Sequence, residues 1–202
     1  MGYELVGRVW SAETFKGYFD KVNTRWATSV TMHHTASPSL NQRPKGFLLQ
    51  HMDNLKHFYK VVLGWSRGPH LFIDDDEILG LSSLYRSGTH ARSFNKDSIG
   101  IEVLGNYDTE DPLSGRGLKC WTMASKAVAI ILTRKGLPAN NNTIKFHRDD
   151  PKTRKTCPGT KVVKSWFIDM VNAEMSVDEM SVDELTNTQR IERIESHLNL
   201  NG

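Results

Sequence analysis

The spacing of apolar positions switches between a helical and an extended period along the chain, and the switches mark the elements. Ser11 stands where an N-cap belongs, ahead of a helix running to about Val22. Trp26-Ala-Thr-Ser-Val-Thr-Met-His33 reads as a strand that ends on a histidine. From Gly46 to Leu63, the residues Leu48, Met52, Leu55, Tyr59 and Val62 fall on one helical face, and Gly64 is the stop. Leu71-Phe-Ile-Asp and Glu77-Ile-Leu-Gly-Leu predict a hairpin about Asp74-Asp75-Asp76. Ser98 to Leu104 is a strand closed by Gly105-Asn106. A helix from about Leu118 carries Trp121, Ala124, Val128 and Ile131 on one face and closes at Gly136 and Pro138. Ile144-Lys-Phe is a short strand that feeds His147, and Val162 to Met170 is a last core helix with Trp166 and Phe167. The layout is α/β, with polar residues of chemical interest at strand ends and in loops, where a rigid sheet presents side chains to a cleft.

The C-terminal end reads differently. Met175-Ser-Val-Asp-Glu is repeated at once as Met180-Ser-Val-Asp-Glu, Thr186 and Gln189 form a capping box, and Ile191, Ile194 and Leu198 make a thin apolar stripe. This predicts two parts, a body over 1–175 and an acidic, helical tail over 176–202 that packs lightly on it. Two heptads are too few for a coiled coil, so a monomer is expected, with tail-mediated oligomerisation left open. The tail carries six acidic and two basic side chains, a net of −4, against +7 over the rest of the chain. A basic body suits an anionic polymer. Nucleic acid fits the charge, but no helix-turn-helix, RNA-recognition or basic-region pattern accompanies it, whereas an anionic cell-wall polymer fits equally well.

At 202 residues the chain is long enough for one domain with a buried core. No apolar run approaches the roughly 20 residues a membrane span needs. The first residues lack the apolar region of a signal peptide, which predicts synthesis in the cytoplasm, and Val6 removes a myristoylation signal.

The candidate chemistry concentrates in His147-Arg-Asp-Asp-Pro-Lys-Thr-Arg-Lys155-Thr-Cys157-Pro158-Gly159 and in the upstream pair His33-His34. Two histidines and one thiolate form a three-donor zinc site with its fourth position open, a catalytic arrangement rather than a structural one. Cys157, in a polar loop, is the ligand-type cysteine; Cys120, at the start of the 118 helix, is a core residue. Neighbouring strand residues point to opposite faces, so only one of His33 and His34 serves. Glu102 lies on an otherwise apolar strand, where a carboxylate needs partners, either a lysine or the water of a metal site. His70 reads as a hydrogen-bonded structural histidine at least as readily as a catalytic one, and the three aspartates at 74–76 as a turn.

Five segments occur in one order: Met32-His33-His34-Thr35-Ala36; Gly64-Trp-Ser-Arg-Gly-Pro69-His70-Leu-Phe-Ile73; Gly88-Thr-His90-Ala91; Asn95-Lys-Asp-Ser98-Ile-Gly-Ile-Glu102-Val-Leu-Gly105; and His147 to Cys157-Pro-Gly. Together, over roughly residues 28–170, they resemble the zinc-dependent N-acetylmuramoyl-L-alanine amidases of the type-2 superfamily, which also holds peptidoglycan recognition proteins and phage lysozyme amidases. The resemblance implies a central mixed β-sheet flanked by helices, one zinc held by His33, His147 and Cys157, and the muramoyl-peptide of peptidoglycan as substrate. It further implies Glu102 as general base, Lys155 as the group facing the oxyanion, and His34, His90 and Asn95 as substrate contacts. Pro69 stands where phage-lysozyme members carry a tyrosine, and Glu102 where muropeptide-amidase members carry a glutamate; those members end on an aspartate ligand, where this chain has Cys157. A single-domain phage or prophage endolysin, released to the wall by holin-type export, is the expected setting. The alternatives are a non-catalytic recognition module, which in this superfamily usually lacks the cysteine, and a cytoplasmic amidase recycling soluble anhydro-muropeptides.

Overall fold

A computed structural model describes residues 5–176 of the chain. The second Met-Ser-Val-Asp-Glu copy, the capping box and the apolar stripe of the tail lie outside the described residues.

Among the described residues, six strands form one sheet: β1 (Leu5–Trp10), β2 (Ser29–His34), β3 (Leu71–Ile73), β4 (Ile78–Ser82), β5 (Ser98–Val103) and β6 (Ile144–Phe146). Their order is β1-β4-β3-β5-β2-β6. The β1/β4 and β4/β3 pairs are antiparallel, while β3/β5, β5/β2 and β2/β6 are parallel, so the sheet is mixed. β2, β3 and β4 are buried along their whole lengths, as expected of strands covered on both faces. In the middle of the parallel part, the Thr31 and Ser98 hydroxyls bond each other at 2.7 Å, which satisfies two buried polar groups between neighbouring strands.

Helix α1 (Ala12–Phe19) begins at Ser11, whose side chain accepts from the Thr14 amide, and buries Phe15 and Phe19. Helix α3 (Gly115–Lys135) ends at Gly136 in the left-handed region (φ 62°), as the Gly-x-Pro ending predicts. Its buried face includes Trp121, Ala124, Val128 and Ile131, and Trp121 meets Tyr107, Trp166 and Phe167 at ring separations of 5.4, 5.6 and 5.0 Å. Phe167 belongs to the last described helix, α4 (164–176).

Two features differ from the sequence reading. β1 is a strand with no place in it; it closes one edge of the sheet, with a register irregularity between Leu5 and Arg8. The 46–63 segment is not one continuous α-helix: α2 covers Leu49–His57, and a π-helical turn follows over Phe58–Val62. The wider turn displaces the residues at its end, Val62 among them, from the expected apolar face. Only Met52 is buried, whereas Leu48 and Val62 are exposed and Leu55 and Tyr59 face a cleft.

β1 packs closely on β4: a Cβ added at Gly80 would lie 2.8 Å from both Val6 and Trp10. Gly80→Ala should therefore destabilise the protein by about 1–3 kcal/mol through overpacking. Gly17→Ala, in α1 with nothing within 4 Å, should stabilise it by about 0.5–1 kcal/mol. Denaturant unfolding of both variants checks the pair, and equal stabilities would contradict the packing described.

Candidate metal centre and cleft

The strand pairings assemble the centre. β6 runs parallel to β2 with Met32 opposite Phe146, so the next residue of each, His33 and His147, emerges at the same end of the sheet. Their rings lie 4.6 Å apart. Cys157 arrives from the loop that follows, with Sγ 3.6 Å from His33 Nδ1. The donor atoms of His33, His147 and Cys157 all lie within 4.8 Å of one another, and all three residues are buried. His34 is outside the donor cluster but lines the same cleft, its Nδ1 accepting the Tyr107 amide at 3.1 Å.

The Cys157 loop is clamped from both sides. The Arg148 amide donates to the Cys157 carbonyl at 2.8 Å, and its guanidinium donates to the carbonyls of Gly159, at 2.7 Å, and of Val162. Across the loop, Asp108 accepts from the Thr156 hydroxyl and the Thr160 amide, each at 2.8 Å. Arg148 and Asp108 had no assigned role in the sequence reading. Arg148 carried one signal, its position directly after a ligand-type histidine.

Glu102 stands on β5 directly opposite His33 of β2, with Oε1 3.9 Å from His33 Nδ1. Burial pushes its carboxyl up to about 8, and Lys155 pulls it back down. Burial holds the His33 imidazole well below its ordinary range, helped by His90 and His147; burial, then Lys155, does the same for His147. Burial and the Glu102 charge raise the Cys157 thiol. Lys155 is exposed at the cleft rim.

His90 and Asn95, expected as substrate contacts, are engaged with the protein itself. His90 lines the cleft, but Nδ1 lies 3.1 Å from His33 Nε2 and Nε2 lies 3.0 Å from the Ser98 carbonyl. Asn95 is absent from the described cleft lining; its Oδ1 accepts the amides of His90 and Ala91 at 2.8 and 2.9 Å. Asn95 thus shapes the loop that carries His90. His70 is structural: Nδ1 accepts the Gly100 amide at 2.9 Å, Nε2 donates to the Arg86 carbonyl at 3.1 Å, and burial brings it down to about 4. Asp74 is a turn residue, accepting the amides of Asp76 and Glu77, and also that of Phe47 ahead of α2.

The donor set suits a zinc ion. Tetrahedral Zn–N and Zn–S bonds place the two donors ~3.5 Å apart, and Nδ1 and Sγ of His33 and Cys157 are 3.6 Å apart. Two neutral imidazoles and one thiol that metal binding deprotonates leave a position open toward the cleft. That cleft is about 630 Å³, with Phe47, Leu55, Tyr59 and Trp65 on an apolar wall and Arg154 and Lys155 on a basic one. Tyr59 and Trp65 stack at 5.4 Å.

Sheet, cleft and donor cluster define an α/β protein with a candidate metal centre at one end of its parallel strands. Residues 23–160 match the N-acetylmuramoyl-L-alanine amidase family, and the chain belongs to that family. Peptidoglycan-recognition protein SC2 of Drosophila melanogaster is 27% identical over 146 residues, 68% of this chain and 72% of that protein. Among solved structures, the fold is similar to the catalytic domain of XlyA, with a TM-score of 0.54 and 22% identity over 72% of this chain and 86% of that one. It is also similar to the N-acetylmuramoyl-L-alanine amidase LysC from Clostridium intestinale URNW, with a TM-score of 0.55 and 17% identity over 85% of this chain and 95% of that one. At these identities the structural likeness establishes the fold.

The clamp predicts a specific weakness. Arg148→Met removes charged hydrogen bonds to several loop carbonyls and should cost about 1.5–3 kcal/mol of stability. Because the same loop holds Cys157, metal uptake should weaken as well. Unfolding and metal titration of the variant check this, and an Arg148→Met protein equal to the parent in both would contradict the clamp.

Proposed function

We propose that the chain is a zinc-dependent N-acetylmuramoyl-L-alanine amidase that hydrolyses the amide between the lactyl group of N-acetylmuramic acid and the L-alanine of the stem peptide. The observation that carries the proposal is the placement of Glu102 opposite His33, within one cleft that also holds His147, Cys157 and Lys155. His33, His147 and Cys157 would hold the zinc. When bound, it supplies Lewis acidity to the scissile carbonyl and to water.

The protein's own groups supply the rest. Glu102 takes the proton of the attacking water and returns it to the departing alanine nitrogen. Its half-buried carboxyl must be ionised to accept that proton; Lys155 favours ionisation, and a cation held by the three donors would act in the same direction. Lys155 brings positive charge to the oxygen that becomes anionic as the carbonyl carbon turns tetrahedral. His34 lines the same cleft as Asp108 and is held by the Tyr107 amide, from where it would contact the substrate. The Tyr59–Trp65 wall offers apolar area to the muramoyl-peptide, and the basic wall suits its carboxylates. Pro69, also in the lining, offers no proton, so proton transfer rests on Glu102.

Release to the wall as a phage or prophage endolysin, by holin-type export, completes the reading. Support for that setting comes from an endolysin among the similar structures, a mutant from Bacillus subtilis with a TM-score of 0.54. A recognition module that holds peptidoglycan without cutting it is the second reading, favoured by the name of the Drosophila relative. The complete donor set and the adjacent Glu102 favour the enzyme.

Glu102→Gln should keep its zinc and lose roughly 10²–10⁴-fold in turnover, the range of general acid–base catalysis. Lys155→Ala should keep its zinc and lose roughly 10²–10³-fold, as for one oxyanion donor. Both losses should fall on turnover rather than on wall binding, since both groups act on charge that forms in the transition state. Turnover on purified sacculi, read with metal content and wall pull-down, measures this. Normal turnover in Glu102→Gln would remove the proposed base.

A further inference from the structure

We infer that His90 is a positioning residue that fixes the tautomer of His33 and so aims the His33 lone pair into the metal centre; the inference rests on the proposed zinc site. The argument follows the protons through a chain of three groups. A backbone carbonyl only accepts, so the 3.0 Å contact between His90 Nε2 and the Ser98 oxygen requires the proton on Nε2. In a neutral imidazole that leaves a lone pair on Nδ1. His33 Nε2 lies 3.1 Å from this Nδ1 and must therefore carry its own proton. The remaining lone pair of His33 is then on Nδ1, the atom 3.6 Å from Cys157 Sγ and 3.9 Å from Glu102 Oε1.

The reverse tautomer would place lone pairs of the two rings against each other and a proton where a metal must bind. The Ser98 carbonyl thus selects the donor atom of His33 through His90. A metal ligand whose second nitrogen is held in this way loses affinity when the partner is removed.

The surroundings fix His90 for this task. The His33 and His90 rings meet edge to face at 5.2 Å and 90°. Asn95 Oδ1 accepts the His90 and Ala91 amides and sets where the side chain starts. At Gly100 the strand leaves room for the ring: a Cβ there would lie 2.5 Å from His90 Cγ. His70 packs on the far side at 5.9 Å, with both of its own nitrogens already engaged by the backbone. An imidazole built in this tightly against the floor of a cleft is placed for the ligand behind which it stands.

The first test needs no variant. In the full-length protein labelled with ¹⁵N-histidine and stripped of metal by a chelator, long-range ¹H–¹⁵N correlation should show His33 and His90 both protonated on Nε2. His33 protonated on Nδ1 would overturn the inference. In competition with a chromophoric chelator, His90→Leu should bind zinc roughly 10–100-fold more weakly. His90→Asn, which keeps an acceptor oxygen near the position of Nδ1, should retain most of the parent affinity and the His33 Nε2–H tautomer. A His90→Leu protein with parental affinity, or a His90→Asn protein as weak as His90→Leu, would also overturn it. A parent chain that takes up no zinc would sink the proposed zinc site instead, and the tautomer measured without metal would still decide the role of His90.

Discussion

The register of β2 between its two parallel neighbours is the constraint on which the rest depends. His33 pairs with Glu102 of β5, and the residue before it pairs with Phe146 of β6, immediately ahead of His147. Side chains alternate along a strand, so a slip of one residue would exchange the faces of His33 and His34. Val30 and Met32 hold the strand against such a slip, since both are fully buried, and the Thr31–Ser98 hydroxyl pair adds a polar lock that exists in one register only. The choice between two adjacent histidines is therefore made by core packing, not by the histidines. Once made, it brings a nitrogen ligand and a carboxylate within 4 Å.

Around that pair the structure gathers buried and half-buried polar groups, and those outside the donor cluster are hydrogen-bonded within the protein. His90, Asn95 and Ser98 take up the far side of His33. Arg148 and Asp108 fix the Cys157 loop. Buried polar networks are stable when their members have partners, and burial lowers the His33 and His147 imidazoles while it raises the Cys157 thiol and the Glu102 carboxyl. The three donor atoms thus lie within 4.8 Å of one another, and a divalent ion held there would favour the thiolate and the carboxylate. The open side of the centre meets the apolar Tyr59–Trp65 wall and the basic rim, which divides the cleft into surfaces of different character.

The parts legible in the sequence were those written in contiguous residues. Ser98-Ile-Gly-Ile-Glu-Val shows a strand with one costly carboxylate, Asp74-Asp75-Asp76 shows a hairpin turn, and the α3 stripe ends on a glycine, and the structure has all three. The ordered histidine and cysteine segments likewise pointed to one cluster. The strand β1 was hidden because Gly7 and Arg8 interrupt its alternation, and only packing across Gly80 secures it. The fate of Leu55 and Tyr59 was hidden because a helical stripe reads the same whether it faces a core or a cleft, and the π-helical turn has no sequence period of its own. The inward bonds of His90 and Asn95 and the Arg148 and Asp108 clamps depend on partners brought together by the fold; Asp108 and Thr160 are 52 positions apart. Such second-layer contacts leave no local pattern to read.

The central claim, that the His33, His147 and Cys157 cluster makes this chain an amidase, is tested most directly by mass spectrometry of purified sacculi after digestion. The zinc-loaded protein should release stem peptides with a free L-alanine amino terminus and leave glycan strands whose lactyl groups are free acids. The same protein stripped by a chelator should release neither and should recover both on addition of zinc. New reducing sugar ends, cuts within the stem peptide, or full release by zinc-free protein would contradict the account.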